Sequence, residues 1–211
     1  MNPPVPEDTG QPGAVLVHGV RETLPLVVRL NPWRYAWAGT RYALTVFLLM
    51  ASPFVVLFLI VKPLFFWLPL LIVPLGLLRF PHLFIAARRG PVLGADEAGI
   101  WLRLVYTRKA VFLPWPEVFV ITVEKTFGHV ELCARPRDLD FDAYLAIPVR
   151  GFGDVRQGQR TATNWMRVKL GTNVHTPLTG GDVSVEEVLT KLRQFSAGRC
   201  PVRVYGPLPP G

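Results

Sequence analysis

The sequence predicts an α+β membrane protein: a two-helix transmembrane hairpin followed by a β-rich domain that ends in one helix. Three observations carry the prediction. From Tyr42 to Val61, twenty consecutive residues lack a charge, enough at about 1.5 Å per residue to cross a hydrocarbon core of about 30 Å. After Arg88-Arg89-Gly90-Pro91 the texture changes to short β-branched runs separated by turns. Near the end, Ser184 and Glu187 have capping-box spacing ahead of a single apolar stripe.

In the expected hairpin, Lys62-Pro63 forms the turn and Leu64 to Leu78 the second arm. Fifteen residues make only about 22 Å of helix, so a full crossing would have to borrow from Arg79 to Ala87, with the Arg79 guanidinium led out to the headgroups. Arg29, Arg34 and Arg41 precede the hairpin and Arg79, Arg88 and Arg89 follow it, whereas the turn holds only Lys62. By the positive-inside rule both termini are cytoplasmic, and the expected placement is the plasma membrane, multi-pass.

The formal net charge is +8, and residues 1–90 hold eight of the 23 Lys and Arg against three of the 15 acidic groups. Most of the excess therefore flanks the apolar stretch, where it fits anionic lipid better than nucleic acid, for which there is no basic helix or recognition motif. Cys133 and Cys200 are the only cysteines; on the cytoplasmic side they are expected to be reduced thiols.

Four regions follow from the chain in order. Residues 1–41 comprise a Pro-rich, disordered start, a segment from Ala14 to Leu30 that fits either a short extended piece or one lying on a membrane surface, and a basic-aromatic segment. There Trp33, Arg34, Trp37 and Arg41 look like an interfacial belt. Residues 42–87 form the hairpin. Residues 91–198 hold the β domain, with strands expected at Gly99–Thr107, Val111–Pro114, Val118–Lys125, Val130–Ala134, Tyr144–Val149, Asn164–Leu170 and Thr172–His175, then the helix from Ser184 to Phe195. Residues 199–211 are a Pro- and Gly-rich tail, expected to be mostly unstructured.

Asp96-Glu97-Ala98-Gly99-Ile100, Leu113-Pro114-Trp115-Pro116-Glu117-Val118 and the terminal amphipathic helix, set behind an apolar hairpin, resemble the membrane-anchored bacterial pleckstrin-homology-like proteins. The resemblance implies a strongly bent antiparallel sheet of about seven strands, its open end closed by the helix. It does not imply an enzyme, and no cofactor is expected. Eukaryotic relatives of that fold hold phosphoinositides around the first hairpin, where this chain has Arg103, Arg108 and Lys109, although the basic spacing of lipid-binding members is absent. These three are the candidate anionic-lipid contacts, and Trp33, Arg34, Trp37, Arg41, Arg79, Arg88 and Arg89 the candidate interface anchors.

Other patterns do not reach a site. Asp138, Asp140 and Asp142 begin like a calcium loop, but Ala143 and Val149 stand where Gly and Glu are needed. Gly151-Phe152-Gly153 lacks the strand-to-helix context of a dinucleotide fingerprint. Asp154, Arg156 and Arg160 read as a loop insertion. The four histidines are scattered, so spacing assigns no catalytic or metal-binding residue. The expected function is a non-enzymatic membrane protein whose cytoplasmic domain binds a protein partner or helps assemble a membrane complex. Anionic-lipid sensing is the alternative, and an enzyme of lipid or envelope metabolism a second one. The expected partners are the lipid bilayer and an unidentified protein; oligomeric state is open.

Overall fold

Asp96 shapes the turn from which the first sheet grows. Its carboxylate accepts hydrogen bonds from Ala98 N (2.7 Å) and Gly99 N (3.1 Å), and its own N–H donates to the Gly99 carbonyl (3.1 Å). This side-chain turn reverses the chain between β3 (Leu93–Ala95) and β4 (Gly99–Arg103), placing Ala95 opposite Ile100. Gly99 is required there, because a Cβ would press on the Leu113 carbonyl oxygen of the neighbouring strand. The computed structural model describes residues 13–61, 80–104, 109–126, 129–139, 172 and 174–205. Within them, β1 (Val15–Val17), β2 (Leu26–Val28) and β5 (Ala110–Pro114) complete an antiparallel sheet in the order β1-β5-β4-β3-β2. The segment from Ala14 to Leu30 thus supplies both edge strands.

A single 3-10 turn, Trp115–Glu117, leads into the second sheet. Trp115 is fully buried, and its indole N–H donates to the Asp96 carbonyl at 2.8 Å, tying this turn to the first hairpin. β6 (Val118–Thr126) and β7 (His129–Pro136) form an antiparallel pair, with a bulge between Val118 and Val120 that leaves Phe119 exposed. β8 (His175–Pro177) joins β7 antiparallel, and β9 (Val202–Val204) joins β6 in parallel, giving the order β8-β7-β6-β9. The tail expected to lack structure thus contributes a strand. The strands expected at Tyr144–Val149 and Asn164–Leu170 lie outside the described residues. In place of one bent sheet of about seven strands, the described residues form two sheets, of five and four strands.

Helix α1 (Pro32–Val61) begins at a built cap. The Asn31 side chain accepts from Trp33 N (3.1 Å) and Arg34 N (3.2 Å), and Pro32 occupies the first helical position, where no N–H is needed. Asn31 N in turn donates to the Gly180 carbonyl at 2.7 Å, which fixes the helix start against the second half of the chain. A second helix, α2, covers residues 80–87. The third, α3 (Val185–Ser196), is capped by Ser184, whose hydroxyl accepts from Glu187 N, and stops at Ala197 in the left-handed region (φ 46°) followed by Gly198 (φ 77°). One continuous buried cluster takes Val28, Tyr35, Leu83, Ile100, Trp115, Ile121, Leu132 and Leu192 together, joining both sheets with α1, α2 and α3.

The expected transmembrane hairpin is overturned, and with it the multi-pass plasma-membrane placement with cytoplasmic termini. Among the described residues no helix is long and apolar enough to cross a membrane. α1 does cover the first apolar run, but it starts ten residues earlier and turns Tyr35, Ala36 and Thr40 into the protein. Residues 80–87, on which the second crossing depended for length, commit Leu83 and Ala87 to the same core. Apolar periodicity cannot tell a face that packs on protein from one that packs on lipid, and at both ends of the stretch part of that face packs on protein. Leu64 to Leu78 lie outside the described residues.

Candidate functional site

The N-terminal turns of α1 separate two faces. Tyr35, Ala36, Gly39 and Thr40 face inward; a Cβ on Gly39 would meet Leu83 Cδ1 at 2.6 Å and His129 Nε2 at 2.9 Å, so close approach of the helix needs glycine. The opposite stripe, at i, i+4 and i+8, is Trp33, Trp37 and Arg41. Trp33 is 66% and Trp37 57% exposed, and Leu48 and Leu49 continue exposed apolar surface along the helix. α2 lies beside this stripe: Trp33 meets Phe80 (ring centroids 5.6 Å apart) and Phe84 (5.2 Å, edge to face), and the Arg88 guanidinium sits over the Phe84 ring at 5.6 Å. Ile85 adds further exposed apolar surface at 56%. Arg34, Arg41, Arg88 and Arg89 are all exposed around it.

Six of the seven predicted interface anchors, Trp33, Arg34, Trp37, Arg41, Arg88 and Arg89, therefore belong to the surface built by α1 and α2. Arg79 lies outside the described residues. Phe80, Phe84 and Ile85 were not picked out from sequence; their i, i+4 and i, i+5 spacing in a stretch read as half of a crossing was the available signal.

The predicted lipid-contact group does not hold together. Arg103 is only 5% exposed. Its guanidinium donates from NH1 to the Gly90 carbonyl (2.7 Å) and from NH2 to the Ala86 carbonyl (3.0 Å), at the C-terminal end of α2. Burial draws its pKa below the ordinary arginine value; Tyr35 opposes that shift and the charge of Arg89 adds to it. Arg103 faces the inside of the protein and is corrected from ligand contact to helix cap. Lys109 is exposed at the entrance to β5, where its carbonyl accepts from Leu104 N at 3.1 Å. Arg108 lies outside the described residues.

Strand register assembles a second group that spacing did not reveal. On β7, His129, Glu131 and Cys133 alternate with Val130, Leu132 and Ala134, which lie in the core. Pairing with β8 sets Cys133 opposite His175, whose Nδ1 lies 3.4 Å from Glu131 Oε2; Glu131, Cys133 and His175 are all buried. A Cys opposite a His that meets a carboxylate suggests a nucleophile. Electrostatics points the other way: burial pushes the Cys133 thiol well above its ordinary range, and the Glu131 and Glu124 carboxylates push it further, against a lowering by the Thr122 hydroxyl and Arg135. A nucleophilic cysteine needs the opposite surroundings. The group is a buried polar seam between β7 and β8. Cys200 is likewise held up by burial, with Ser196 and Arg199 opposing.

Among the described residues no cluster of three or more His, Cys, Asp or Glu is arranged to hold a metal ion. Of the Asp138, Asp140 and Asp142 run, the last two lie outside the described residues, as do residues 151–160. Searches against protein-family models, curated proteins and solved structures gave no match, and none of them identifies a pleckstrin-homology-like domain.

Proposed function

We propose that the protein is a non-enzymatic docking protein whose α1–α2 surface engages an anionic lipid surface. One observation carries the reading: the exposed Trp33, Trp37 and Ile85 and the half-buried Phe84 share the α1–α2 surface with the exposed Arg34, Arg41, Arg88 and Arg89. Amphipathic aromatic rings suit the headgroup level, where one end meets hydrocarbon and the other water. Each basic residue near an anionic surface adds about 1 kcal/mol, and together with the patch this is a two-signal arrangement for peripheral contact. The thiol of the Cys133–His175–Glu131 group, held away from ionisation, supports a role other than covalent catalysis.

Sedimentation of the full chain with vesicles tests the reading. Vesicles with a large acidic-lipid fraction are expected to carry the protein down and neutral vesicles to leave it in solution, with binding weakened by salt. Taking roughly 100 Å² of newly buried surface per tryptophan at about 25 cal/mol per Å² gives roughly 2.5 kcal/mol, so Trp33→Ala and Trp37→Ala should each lower partitioning about 70-fold. Equal binding to neutral and acidic vesicles, or binding unmoved by both substitutions, would defeat the proposal. So would a patch that captures a protein while ignoring acidic lipid.

A further inference from the structure

From the central strand of the five-stranded sheet, the Arg103 guanidinium donates to the Ala86 carbonyl in the last turn of α2 and to the Gly90 carbonyl three residues beyond its end. The last carbonyls of any helix lack intrahelical partners, and a buried cation donating to them satisfies both those carbonyls and the helix dipole. α2 is described over residues 80–87. Two features define its exit: Gly90, in the left-handed half of backbone space at φ 106°, and the paired contacts from Arg103 to residues on either side of Arg88 and Arg89. The backbone N–H of Arg103 also donates to the Val92 carbonyl at 2.9 Å, so one residue grips the link from α2 to β3 at three points.

We propose that Arg103 is the positioning residue of the docking surface: it orients α2 so that Phe84 meets Trp33 and Arg88 and Arg89 project beside them. This rests on the lipid-docking reading for its functional consequence, but the positioning itself can be read without lipid. Arg103 acts on α2 through the planar fork of its two donors, which a charge alone does not supply.

Arg103→Met removes the charge and both donors, and Arg103→Lys restores the charge without the planar fork. Two readouts are taken on the full chain. The first is the Trp33 indole N–H resonance without lipid, which the Phe80 and Phe84 rings displace; the buried Trp115 indole serves as the internal control for the fold. The second is partitioning onto acidic vesicles as a function of salt. Both variants should move the Trp33 resonance toward that of a free indole while leaving Trp115 in place, and should lower partitioning about ten-fold with an unchanged salt dependence. Recovery of wild-type partitioning by Arg103→Lys would show that charge alone matters, and would overturn the proposal. An unmoved Trp33 resonance in either variant would do the same. Should Arg103→Met lose the Trp115 signal, Arg103→Lys alone decides by the same criteria. If the wild type ignores acidic vesicles, the docking reading fails, while a displaced Trp33 resonance still establishes Arg103 as the residue that sets α2.

Discussion

Cys133 gives the sharpest test of whether the seam on β7 and β8 is structural or chemical. A thiol whose pKa is higher in the folded than in the unfolded chain favours folding fully below the unfolded value, about 8.5. Above that pH the unfolded chain releases its proton while the folded chain keeps it, so stability falls as pH rises toward the raised folded value. The loss approaches about 1.4 kcal/mol for each pH unit in that window. Between pH 8.5 and 10.5, Cys133 alone should therefore cost about 2 to 3 kcal/mol. Urea unfolding of the wild type and of Cys133→Ala at pH 7, 9.5 and 10.5 isolates this share, because the tyrosines, the lysines and Cys200 contribute to both chains. The gap between the two stability curves should shift by that amount in favour of the variant as pH rises. In parallel, the native protein at pH 7.5 should react with iodoacetamide at Cys133 far more slowly than the urea-unfolded chain. Parallel stability curves, or alkylation of native Cys133 at the rate of a free thiol, would refute the buried-seam argument and restore the nucleophile.

Three further substitutions test the packing that carries the surface. The Thr40 hydroxyl is fully buried and makes no hydrogen bond among the described residues; the near-isosteric Thr40→Val should raise stability by about 1 kcal/mol, seen as a higher urea midpoint with an unchanged m value, and a loss of stability would mean that the hydroxyl has a partner. Ser184→Ala removes the acceptor for Glu187 N at the start of α3 and should cost about 1 kcal/mol in the same assay. Gly99→Ala drives a Cβ into the backbone of Leu113 and Pro114, which cannot move aside as a side-chain tip could; a loss of about 3 kcal/mol is expected, and a neutral result would show that the β3–β4 turn is looser than its hydrogen bonds indicate.

What could be read from residues alone was the local order. Ser184 and Glu187 announce α3, and the stripe of Val188, Leu189 and Leu192 marks the face that is in fact buried. Alternation located β6 and β7 to within a few residues. Strands whose existence depends on a distant partner were not legible: β9 follows Pro201 and pairs in parallel with β6, and its composition resembles any proline-rich tail. The seam was hidden for the same reason, because Cys133 and His175 meet only through the β7–β8 register. The apolar stretch was over-read, since a run without charges specifies burial and leaves open what does the burying.

Arg103 shows where alternation misleads about a site. Its strand reads Ile100 and Leu102 against Trp101 and Arg103, which predicts one buried and one solvated face, yet all five residues of β4 are buried. The second face is covered because Trp101 stacks on Phe112 at 4.4 Å and packs with Val20 and Ala110, while the end of α2 closes over Arg103. A lone cation inside a protein is tolerated only where acceptors converge on it, and the carbonyls that a helix end leaves unpaired are such acceptors. At α3 an exposed arginine uses similar acceptors, Arg199 donating to the Ser196 and Phe195 carbonyls and to the Glu97 carbonyl in the β3–β4 turn. Burial withdraws Arg103 from ligand binding, and among the described residues the exposed arginines of the α1–α2 surface are Arg34, Arg41, Arg88 and Arg89. Arg88 lies over the Phe84 ring, which meets Trp33 edge to face, so exposed charge and aromatic surface coincide on α1 and α2, whereas at the first hairpin of the sheet Arg103 is buried.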